Sequence, residues 1–105
     1  MMNSNQTLTT ELELNTAEAR QAVCDFKRDH LHVFNDCQWW VLVNPTNVSV
    51  IRWIVFFRNP DGTMWMVRSD LGSAAQRRTT DHCRYLWGIA LAHRLIPTTI
   101  QIGTP

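Results

Sequence analysis

Lysine is nearly missing from this chain: nine of its ten basic residues are arginine. A GC-rich coding origin explains that bias more simply than selection for phosphate binding. Formal charge is only +1, which argues against a dedicated binder of polyanions. Cysteine is scarce as well. Cys24, Cys37 and Cys83 cannot all pair with one another, so free thiols in a reducing cytoplasm are the expectation. No apolar run approaches the roughly 20 residues of a membrane span. The opening MMNSNQTLTTELEL lacks the basic and apolar regions of a secretory signal. Internal repeats, low-complexity linkers and catalytic or cofactor motifs are also missing, so neither a cofactor nor a membrane is implied.

What is present describes an ordinary globular chain. Its 105 residues are 45% hydrophobic and 18% charged, enough for one domain over 1–105 with a core that needs no disulfide or metal. Charge is unevenly spread: residues 1–36 carry three basic and six acidic side chains, and residues 72–105 carry four basic and one acidic. Such polarity suits head-to-tail or dimer contacts, or one mildly basic surface.

The pattern along the chain predicts an α+β fold in the order β-α-β-β-β-α, with a possible final strand. TLTTELEL (7–14) alternates like a half-buried strand. Asn15 with Glu18 three residues on resembles a capping box opening a helix, whose apolar stripe is Ala19, Ala22, Val23, Phe26, His30 and Val33. QWWVLVN (38–44) reads as a strand, and PTN turns the chain into a long strand from Val48 to Arg58. NPDG (59–62) suits a type I turn followed by a left-handed glycine, the G1-bulge hairpin. The resulting register sets Phe57 against Trp65, Val55 against Val67 and Trp53 against Ser69. Residues 71–78 read as a loop, Thr79 or Thr80 caps a second helix that is apolar nearly all round, and Pro97 ends it. TTIQIG is read as a short last strand. The sum is an antiparallel sheet, a three-strand meander at its centre, with helices mainly on one face.

That register puts Ile51, Trp53, Val55, Phe57, Trp65 and Val67 on a core face. The opposite face carries Ile54, Phe56, Met64 and Met66, rimmed by Arg52, Arg58 and Arg68, with Arg52 set against Asp70. An antiparallel sheet with one solvated face keeps that face polar, so this one needs a cover. The favoured reading is an interface with a second copy or another protein, centred on Arg52, Ile54, Phe56, Met64, Met66 and Arg68. The alternative is that the first strand or a terminal segment folds over it. Trp39 and Trp40, adjacent on a strand, point to opposite faces, one to each side. Gly88 beside Trp87 marks either a close backbone approach or an incidental glycine in a buried helix.

Three other groupings carry chemistry. His30, His32, Cys37, His82 and Cys83 belong to the ligand alphabet of zinc, but their spacing matches no paired pattern, so no metal site is expected. Cys83 or Cys37 beside a histidine offers a thiol-enzyme reading, which needs a lowered thiol pKa and an orienting group. Arg77 and Arg78 precede a helix amino terminus and form a candidate phosphate-binding pair; with Arg84 they support a nucleic-acid-binding reading, which is not the favoured one.

The run α-β-β-β-α over Asn15–Ile96 resembles the order of double-stranded-RNA-binding domains. In that family a basic cluster sits at the start of the last helix, and Arg77–Arg78 fall near that place. The family's Gly-Pro-x-His loop has no counterpart near NPTN, and its lysine- and alanine-rich last helix is replaced by HCRYLWGIALAHRLI. The resemblance implies a fold order and a use for the two arginines, and nothing more specific.

Overall fold

The computed structural model describes residues 9–72 and 74–103. Its elements are α1 (Glu11–Asp29), α2 (Leu31–Phe34), β1 (Gln38–Val43), β2 (Trp53–Arg58), β3 (Met64–Arg68), β4 (Gln76–Arg78), α3 (Thr80–Ala92) and β5 (Ile96–Thr98). The strands form one antiparallel sheet in the order β4-β3-β2-β1-β5. The α+β class and the central meander are as the pattern predicts.

The hairpin keeps its expected register: Phe57 pairs with Trp65, Val55 with Val67, Phe56 with Met66 and Arg58 with Met64. Its turn shows why. Asn59 N–H donates to the Thr63 carbonyl and Gly62 N–H to the Asn59 carbonyl, each at 2.9 Å. Gly62 has φ +88°, in the left-handed region where a Cβ is penalised. The Asp61 carboxylate accepts from Thr63 N–H at 2.8 Å, a bond that holds this acid below its ordinary range.

The start of the chain is different. Residues 11–14, expected in a strand, belong to α1, while Thr7 and Leu8 lie outside the described residues. Thr10, not Asn15, is the cap: its hydroxyl accepts from Glu13 N–H at 3.0 Å and donates to the Glu13 carboxylate. The first bond satisfies one orphan N–H of the helix end and the second holds the Thr10 hydroxyl in place, and this cap prevails over an alternation of only a few residues. Asn15 is instead buried, donating to the Asn44 carbonyl at 3.0 Å and to Asn47 Oδ1 at 2.9 Å. Asn44 Nδ2 in turn donates to the Ile51 carbonyl at 3.2 Å. This network occupies the segment before Trp53, so β2 begins at Trp53 and not at Val48.

The largest departure concerns layering. α1 lies on one sheet face, packing Ala19, Val23 and Phe26 against Val41, Val43, Trp53, Val55, Phe57 and Val67. α3 lies on the other, placing Cys83, Leu86 and Ala90 against Leu42, Ile54, Phe56, Met64 and Met66. The expectation of helices mainly on one face is therefore corrected. Both faces are covered, and each apolar side of β2 has its own helix. Within the first core, Phe26 stacks on Phe57 with ring centroids 3.8 Å apart, and His30 stacks on Phe26 at 4.6 Å.

α3 starts as expected, with the Thr79 hydroxyl accepting from His82 N–H at 3.1 Å. It ends at Ala92, earlier than Pro97 would dictate. Arg94 takes φ +68°, while Arg94 N–H bonds the Leu91 carbonyl and Leu95 N–H the Ala90 carbonyl, each at 3.0 Å. This is a Schellman closure with arginine where glycine is usual. Pro97 sits in the edge strand β5, a place where its missing N–H is tolerated. The final strand thus precedes the TTIQIG segment by two residues, and Ile100 is buried in the α1 core.

Candidate functional site

The six residues expected to meet a partner are not an open face. Ile54, Phe56, Met64 and Met66 are buried, Phe56 to 2% exposure. The cover is α3, not a first strand or terminal segment. A sequence apolar nearly all round the helix carries the reason: such a helix needs apolar surface to lie on. Arg52 bonds Glu18, donating from Nε at 3.0 Å, and so joins α1. It does not pair with Asp70. Arg68 takes that carboxylate, with Nη2 donating to Oδ2 at 3.0 Å.

The helix does not close the face completely. Between α3 and the sheet lies a cleft of about 410 Å³ lined by Trp40, Phe56, Arg58, Met64, Thr80, Cys83, Arg84 and Trp87. Strand alternation supplies the sheet side. Trp40 and Phe56 pair across β1 and β2, and Arg58 pairs with Met64 across β2 and β3. Thr80, Cys83, Arg84 and Trp87 follow helical spacing along α3, which turns them towards one side. Trp40 remains 39% exposed, while Trp87 leans on Phe56 at 5.9 Å between ring centroids. Trp39 faces the α1 core, so the two adjacent tryptophans divide as the strand pattern requires.

Charge at this cleft has one sign. Arg84 reaches Asp81 only at 3.8 Å, and both side chains are largely exposed, so the pair contributes little. Arg58 has no carboxylate at ion-pair distance among the described residues. An apolar slot with two available guanidiniums is suited to an apolar group that carries negative charge. Arg58, Trp40 and Trp87 were outside the expected set. Arg58 stood at its rim, and the apolar girth of α3 was the signal for Trp87.

Arg77 and Arg78 lie on the short edge strand β4 rather than in a loop. Arg77 sits over the Trp65 ring, its guanidinium carbon 5.1 Å from the centroid, and Arg78 bonds Gln76 and the Arg77 carbonyl. β4 also separates this chain from the α-β-β-β-α order of the double-stranded-RNA-binding domains, since a fourth strand precedes the last helix. Burial pushes the Cys83 and Cys37 thiols up, which works against a thiolate nucleophile. Cys37 donates to the Phe34 carbonyl at 3.3 Å. Among the described residues, no three His, Cys, Asp or Glu side chains gather as a metal site would need, and no helix is long and apolar enough to cross a membrane. Comparison with protein-family models, curated proteins and solved structures found no match for this chain.

Proposed function

We propose that this chain is a small non-catalytic interaction protein that docks on a protein partner through the cleft between α3 and the sheet. The observation that carries the reading is the cleft itself. Trp40 and Trp87 flank an apolar slot of about 410 Å³ whose floor includes Phe56 and Met64, with Arg58 and Arg84 beside them. Tryptophan and arginine are the residues most enriched at binding hot spots, and a slot that excludes water is where they act. The second sheet face remains the place of contact in this reading, narrowed to the end that α3 leaves open.

A crosslinking experiment tests it. Benzoylphenylalanine replaces Thr80, exposed at the cleft, and in a control replaces Arg20 on the exposed side of α1. Photolysis in cells should give a discrete protein adduct from position 80 that is lost with Trp40→Ala. Absence of any adduct at position 80, or adducts indifferent to Trp40→Ala, would reject docking at this cleft. The second reading, nucleic-acid binding, draws on Arg77 and Arg78 adjoining the same end of α3. It requires nuclease-sensitive adducts and binding that falls steeply with salt.

A further inference from the structure

Two surfaces of this chain are complementary to each other. On α1, Glu11, Leu14 and Glu18 recur at three- and four-residue spacing, which stacks them on one stripe of the helix. All three are exposed, Leu14 to 50%. Glu18 is already occupied: its Oε1 accepts from Arg52 Nε at 3.0 Å and from Trp53 Nε1 at 3.1 Å. The stripe therefore offers the apolar Leu14 side chain with one carboxylate, Glu11, a turn before it and unpaired among the described residues. The cleft is the converse, an apolar slot accompanied by Arg58 and Arg84. Because α1 and α3 cover opposite faces of the sheet, one molecule cannot bring its own two surfaces together. The excess of acidic residues in 1–36 and of basic residues in 72–105 has the same sense.

We infer that the occupant of the cleft is a second copy of this chain, with Leu14 entering between Trp40 and Trp87 while Glu11 meets the guanidiniums of Arg58 and Arg84. The inference rests on the docking reading and names its partner. Contact between unlike surfaces is heterologous, so each copy can accept one neighbour and insert into another until a ring closes. The charged part is screened over a Debye length of about 10 Å at 0.1 M salt, whereas burial of the leucine is not screened in this way. Association should therefore weaken with salt without vanishing.

Sedimentation velocity of the full chain from micromolar to millimolar concentration tests this at low and high salt. The mass should rise with concentration and less steeply at high salt. Leu14→Glu and Arg84→Glu should each weaken association by about tenfold or more, since each sets like charges or a carboxylate against an apolar slot. Both sites are exposed, and circular dichroism checks that the variants fold. Mixing Arg58→Glu/Arg84→Glu chains with Glu11→Arg chains should recover part of the loss. A monomer throughout the range would overturn the inference, as would association that ignores Leu14→Glu and Arg84→Glu. If the chain is monomeric yet position 80 crosslinks a different protein, only the second-copy inference falls; if position 80 crosslinks nothing, the docking reading falls with it.

Discussion

Replacing Phe56 with alanine probes the layering of this fold more sharply than any other single change. In an open sheet face the truncation would cost little in the monomer. Here Phe56 is 2% exposed and shares a cluster with Leu42, Met66, Leu86 and Leu95. Truncating a core phenylalanine costs about 3–5 kcal/mol through lost transfer energy and the cavity left behind. Phe57, fully buried and stacked on Phe26, belongs at the upper end. Phe56 borders the cleft, so part of its cavity already exists, and about 3 kcal/mol is the expected loss. At about 4–8 °C per kcal/mol for a domain of this size, melting should fall by roughly 12–24 °C. Urea and thermal unfolding followed by tryptophan fluorescence would measure it. The lowest workable concentration should be used, so that association adds nothing. A loss below about 1 kcal/mol, as at a surface site, would refute the placement of α3.

Other expectations follow from the turns, the helix end and the thiols. Gly62→Val should destabilise by about 1 kcal/mol or more, because a β-branched residue resists positive φ; denaturant midpoints against wild type would check it. Arg94→Gly should stabilise by roughly 1 kcal/mol, since the Schellman position then carries no Cβ strain; an unchanged or lowered midpoint would contradict that closure. Iodoacetamide should label Cys37 and Cys83 slowly near pH 7 in the folded chain, because burial raises both thiols. The folded state holds those protons more tightly than the unfolded one, so stability present below the ordinary thiol range should decline as pH rises through and above it. Fast labelling of either at neutral pH would instead favour the thiol-enzyme reading.

The hairpin was legible because its turn chemistry is local: Pro60 and Gly62 determine the turn, and the turn determines every pair from Arg58–Met64 to Ile54–Arg68. α1 was legible through Ala19, Ala22, Val23 and Phe26, all buried as their spacing requires. Its first turn was not, since Leu12 and Leu14 alternate with glutamates in a manner that suits a strand, while Thr10 and Glu13 satisfy the helix end. The side of the sheet that α3 covers was the costliest gap. Periodicity tells which stripe of a helix is buried, as at Cys83, Leu86 and Ala90, but not which sheet face receives it. The apolar second face implies a cover, but neither a partner nor the first strand or a terminal segment supplies it: α3 does, and its apolar girth is the mark that points there. The cleft was beyond reach because it depends on how closely α3 packs beside Trp40 and Phe56, a matter of packing geometry with no residue signature.

α3 closes the second sheet face and leaves an opening at Trp40 and Trp87, the place where we propose that a partner docks. Nuclear Overhauser contacts between the Phe56 ring and the Trp87 indole test it most directly. The ring centroids lie 5.9 Å apart, so cross-peaks between their edge protons are expected in the isolated chain. Those peaks should persist on dilution, because the contact is intramolecular. If Phe56 shows no contact with Trp87, or gains one only as concentration rises, then α3 does not cover this face and the docking cleft does not exist in the monomer.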